Sequence, residues 1–102
     1  MMFPVLLLVD VKLIDIALGR MADCTRCPIA IALRRKGYAC FTVHENAIVF
    51  DNGIRYETPR QAAEFIVRYD TGHHVHASTF YFRRISGPSV QKAVTGQEVA
   101  LV

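Results

Sequence analysis

The sequence predicts an α+β fold: a mainly antiparallel sheet in the order β-α-α-β-β-β-α-β, with the helices packed on one face. Changes of hydrophobic period carry this expectation. Helical spacing before Gly37 gives way to alternation from Tyr38 to Glu57, then returns before a last aromatic run. The turn signal Asp51-Asn52-Gly53 inside the alternating stretch ties its segments into a meander, as antiparallel strands allow.

Each element has its own signal. The apolar run Val5–Val9 reads as a buried strand. Asp10 then stands where it would cap a short helix, with Leu13, Ile14 and Ala17 sharing the inward face and Gly19 as the exit. In the second helix Pro28 occupies the first position, where its missing N–H costs nothing, and Ile29, Ala30, Ala32 and Leu33 recur at helical spacing. Arg34, Arg35 and Lys36 lie at the negative end of that helix before Gly37 stops it. "YACFTVH", "AIVFD" and "IRYE" follow as three strands, the last two joined by a two-residue Asn-Gly turn. Thr58, Pro59 and Gln61 give a capping box for a helix whose inward stripe is Ala62, Phe65, Ile66 and Tyr69 and whose end is near Gly72. "HVHASTFYFRR" reads as the closing strand.

With 102 residues, 52% of them hydrophobic, the chain can bury one core without disulfide staples. The expected organisation is one domain over residues 1–84 and a tail over 85–102, whose Val90, Val94, Val99 and Leu101 suit an oligomerisation arm. A net charge of +3 tolerates anionic partners but does not favour a dedicated nucleic-acid protein. Three cysteines cannot all pair within one chain, which suits a reducing compartment. The apolar start meets Asp10 and Lys12 too soon for a signal peptide or membrane span, so the expected location is the cytoplasm.

Cys24, Cys27, Cys40 and His44 make C-x2-C-x12-C-x3-H, the ligand types and spacing of a small structural zinc site, with Cys40 and His44 on one face of a strand. Against this stands the apolar content, which needs no metal to fold. A redox dithiol is a second reading, because Cys24 and Cys27 precede a helix N-terminus with Arg26 between them. In a third, Cys27 packs as a small hydrophobe and Cys24 is incidental, and the composition favours it. His73, His74 and His76 form a further cluster, without the nucleophile that catalysis would require. Arg34, Arg35, Arg83 and Arg84, with Tyr81 or His76 nearby, offer guanidinium forks beside aromatic faces, the pairing that a phosphate and a base need.

The runs "DCTRCPIAIALRR" and "TPRQAAEFIVRYDTG", with a meander between them and "FYF" beyond, resemble a family of small, largely uncharacterised phage and prophage proteins. The similarity extends over roughly residues 5 to 83. It implies a context in a phage-infected host cell, and it carries over no catalytic residues. Such proteins act by occupying a target. The leading expectation is therefore a non-enzymatic, homo-oligomeric binding protein that sequesters an anionic small molecule, such as a nucleotide immune signal, on Arg34, Arg35, Arg83, Arg84, Tyr81 and His76. The alternatives are a protein-binding inhibitor of a host factor and a zinc-stabilised nucleic-acid module.

Overall fold

A computed structural model describes residues 3–86 of the chain, and the expected C-terminal arm lies outside the described residues from 87 onward. Its element order is β1 (Leu6–Val11), α1 (Leu13–Leu18), α2 (Pro28–Arg35), β2 (Phe41–Val43), β3 (Ala47–Phe50), β4 (Arg55–Glu57), α3 (Arg60–Asp70) and β5 (Ser78–Ser86). The class and order are those expected from the sequence. All strand pairs are antiparallel, in the spatial order β1-β5-β4-β3-β2, and the sheet curls into a half-barrel.

Strand alternation decides which side is buried. In β1, Leu7, Val9 and Val11 turn inward while Leu6, Leu8 and Asp10 face out; in β5, Phe80 and Phe82 turn inward while Tyr81 and Arg83 face out. The concave side encloses a cluster of Phe3, Tyr38, Phe41, Phe50 and Tyr56, with neighbouring ring centroids 5.0 to 6.1 Å apart. Tyr56 is wholly buried, and its hydroxyl donates to Pro4 O at 2.6 Å, which removes the cost of hiding that polar tip. At the other end of the core Phe65 of α3 meets Phe80 edge to face at 5.4 Å. Between β4 and β5 the register shifts, so that Arg55 faces Ser86 and Tyr56 faces Arg84; Ile85 is the extra residue of a bulge.

Several local expectations are corrected. β1 runs on to Val11, so Asp10 belongs to the strand and Lys12 is the N-cap of α1. Asp15, at the third helical position, accepts the Lys12 N–H at 2.7 Å, which is half of a capping box. The inward face of α1 is also reversed: Leu13 is 72% exposed and Ile14 and Ala17 face solvent, whereas the Asp15 side chain is 1% exposed. Arg35 explains the reversal. Its Nε donates to Asp15 Oδ1 at 3.1 Å and its Nη2 to Oδ2 at 2.6 Å, a two-point pair that compensates the carboxylate for lost water. Gly19 leaves α1 at φ −69°, an ordinary backbone; it is needed for space, because a Cβ there would sit 2.8 Å from Tyr69 Oη and 2.9 Å from the Pro28 ring.

The turn between β3 and β4 is longer than two residues. Phe50 N donates to Ile54 O, which leaves Asp51, Asn52 and Gly53 as a three-residue loop; Gly53, at φ +94°, is the one that takes the left-handed position. Thr58 does not cap α3. Its hydroxyl donates to His44 O and its amide to Asn46 O, tying β4 to the β2–β3 turn, and Pro59 is the N-cap. Residues 74–77 precede β5 rather than forming part of it, and β5 continues to Ser86, beyond the expected domain end.

Burial pushes the Asp15 carboxyl up, but the Arg35 guanidinium and the Lys12 amide outweigh it and hold the pKa below the usual value. The pair therefore contributes stability that is fully present above pH 4 and lost as pH falls through the depressed pKa of the folded state. Asp15→Asn should cost about 2 kcal/mol at pH 7, the worth of a hydrogen bond to a charged group. Chemical denaturation at several pH values checks this: the gap between wild type and Arg35→Ala should close as Asp15 protonates. Gly19→Ala should lower stability by about 1–3 kcal/mol through overpacking, without changing the denaturant slope.

Candidate functional site

The arginines expected to gather an anion are distributed by the fold. Arg34 lies over the Phe41 ring, 5.5 Å from its centroid. Arg35 is engaged with Asp15 and also donates to Asp10 O at 2.9 Å. Arg83 lies on the convex face, paired with Glu57 at 2.6 Å, whereas Arg84, next in sequence, is half-buried and donates to Phe3 O at 3.1 Å. Alternation in β5 sends the two to opposite sides of the sheet. Arg35, Tyr81 and His76 line three different clefts.

Of the zinc set, Cys24, Cys27 and His44 line one cleft of about 270 Å³, together with Asp23, Glu45 and Asp70. Cys40 is exposed, at φ +60°, and does not line it. Cys40 and His44 flank β2 rather than lying on one face of it, since the strand has only three residues. Among the described residues no three His, Cys, Asp or Glu side chains are grouped to hold a metal ion.

His76 sits in a different setting, which the sequence reading only partly anticipated. After α3, Gly72 at φ +83° turns the chain back, and His73 N donates to Arg68 O at 2.8 Å. The His73 ring is held by Thr71, Nδ1 to Oγ1 at 2.8 Å, which ties it to the turn. Val75 is then buried while His74 and His76 project outward, their rings edge to face at 4.8 Å. Opposite them, Gln61, Glu64 and Arg68 recur at helical spacing along α3, beside its buried Ala62, Phe65 and Ile66. Between the two walls lies a cleft of about 380 Å³, floored by Phe65, Val75 and Phe80 and closed by Ser78.

The cleft's polar groups are partly committed. Arg68 Nη2 donates to His74 O at 3.3 Å, which joins the walls, and Ser78 Oγ donates to His76 O at 2.9 Å. Glu64 is paired with Arg60 at 3.4 Å. What faces the opening is one guanidinium with donors to spare, two imidazoles, an amide and the Glu64 carboxylate, whose charge is countered by Arg60, above an apolar floor. Such a lining can hold a ring on its floor and a negative group at its mouth. The spacing of Gln61, Glu64 and Arg68 was visible in the sequence, but only the turn at Gly72 brings it opposite the histidines.

Comparison with known protein families, with curated proteins and with solved structures gives no match for this chain. Among the described residues no helix is long and apolar enough to cross a membrane.

Proposed function

We propose that the protein is a non-enzymatic binding protein for a small anionic ligand of nucleotide type, taken up between α3 and the 74–78 segment. One observation carries this reading: Arg68, His74 and His76 share a cleft with the apolar floor of Phe65 and Phe80, and its volume lies within the range of small-molecule sites. The ligand's ring would cover the floor while its phosphate or carboxylate met the guanidinium. In the phage context that the sequence resemblance implies, such a protein would withdraw a nucleotide signal from a host defence pathway. A second reading, a protein-binding inhibitor, is favoured by the exposed apolar row Leu13, Ile14, Leu18 and Met21 along and beyond α1.

Titration calorimetry with a panel of mono-, di- and cyclic nucleotides at low salt tests the first reading. Arg68→Ala and His76→Ala should each weaken binding about tenfold or more, the loss of a charge-assisted hydrogen bond, whereas Arg34→Ala and Arg83→Ala should leave it unchanged. Binding that survives the first two substitutions, or no binding across the panel, would refute it. Retained host-directed activity in Arg68→Ala with loss in Leu18→Asp would instead support the protein-surface reading.

A further inference from the structure

The loop from Gly19 to Cys27 is held at more points than its length requires. Arg20 N donates to Arg26 O at 2.8 Å, and Arg26 N to Asp23 O at 3.1 Å. Asp23 Oδ1 accepts from both the amide and the hydroxyl of Thr25, at 3.0 and 2.8 Å. Ala22, forced to φ +55°, gives its N–H to Asp70 Oδ1 at the end of α3, at 2.9 Å. Cys24 O accepts from Val43 N at 2.8 Å, which fastens the loop to β2. A non-glycine residue at positive φ is a local cost that surrounding bonds must sustain. These bonds hold two thiols at one cleft in unequal settings: Cys24 is exposed, and Cys27 is buried at the N-cap of α2.

From this arrangement we propose that Cys24 and Cys27 form a reversible intramolecular disulfide by exchange with a small disulfide of the glutathione class. Cys24, as the thiolate, attacks one sulfur of glutathione disulfide. That S–S bond breaks, one glutathione leaves as thiolate and takes up a proton, and Cys24 carries the other as a mixed disulfide. Cys27 then loses its proton to water and displaces the second glutathione, closing the 24–27 bond. Two protein thiols are oxidised by two electrons, and one glutathione disulfide is reduced to two glutathione thiols.

The asymmetry sets the order of events. Burial pushes the Cys27 thiol up; the amides of Ala30 and Ile29 act in the opposite sense, and Asp70 and Cys24 add to the rise. Burial also keeps Cys27 from meeting a bulky disulfide in solution, so exposed Cys24 reacts first and Cys27 acts on the mixed disulfide held at the same cleft. The closed ring spans only residues 24 to 27, so it gains little from constraining the unfolded chain, and its Cys24 sulfur is open to attack. Both features make the bond easy to reduce again. Cys40, exposed and outside the cleft, is the internal control.

Intact-mass measurement and peptide mapping of the full chain, after incubation in glutathione and glutathione disulfide mixtures, test the proposal. Wild type and Cys40→Ser should each lose two hydrogens, mapped to a 24–27 bond, and regain them in excess glutathione. In Cys27→Ser, glutathione should persist on Cys24 at least ten times longer than in wild type. Unresolved glutathione on Cys24 of the wild type, or an internal bond that includes Cys40, would overturn it. Should Cys27→Ser fail to fold, the wild-type and Cys40→Ser maps decide the question alone.

Discussion

The last strand among the described residues, β5, occupies the interior of the sheet, and the rest of the fold depends on that placement. β5 pairs with β1 over six registered positions on one side and with β4 on the other. Without it, β1 would be separated from the meander, and the concave face would lose Phe80 and Phe82. The pairing joins residues about seventy positions apart, so a large loop must close before any of its hydrogen bonds are gained. The meander and α2, by contrast, rest on local signals. The expected order of events in folding is therefore local hairpins first and completion of the sheet last.

Both edges of this sheet are covered by parts of the chain that are not strands. On the β1 edge, Arg35 donates to Asp10 O and Lys36 Nζ to Leu8 O, so the cations ending α2 occupy carbonyls that another strand would seek. On the β2 edge the Cys24 carbonyl takes the Val43 amide. Charged side chains and covering loops are the usual protection of exposed edges. The Asp15–Arg35 pair thus fixes more than α1: the guanidinium it orients also closes part of β1. It also explains why a six-residue helix presents its apolar residues to solvent, since the place under α2 is filled by a carboxylate.

Most of the architecture was legible because it rests on punctuation. Pro28 at the start of α2, the glycines at 37 and 72, and the change from helical to alternating spacing each act locally and appear in the fold as read; Gly53 marks the hairpin turn as expected, but the loop there is one residue longer. Strand order was not legible, since nothing local states that β5 enters between β1 and β4. The α1 face was misread for a related reason: Leu13, Ile14 and Ala17 have the right spacing, but the deciding partner, Arg35, is twenty residues away. The four arginines looked like one site because sequence proximity hides the alternation that sends Arg83 and Arg84 to opposite faces. Of the six residues first singled out for ligand binding, His76 is the one that faces the cleft proposed for that role, and its companions there come from α3.

The register of β1 against β5 has a mechanical consequence. Leu6 lies opposite Arg83 and Val11 opposite Ser78, so the start of one strand and the end of the other emerge at the same end of the sheet. A force pulling residues 3 and 86 apart would act along the inter-strand hydrogen bonds and load them one after another, opening the pair as a zipper opens. Shear, which loads all rungs together, would require the two points of attachment to lie at opposite ends. The fold is thus soft along the line that joins the two limits of its described chain.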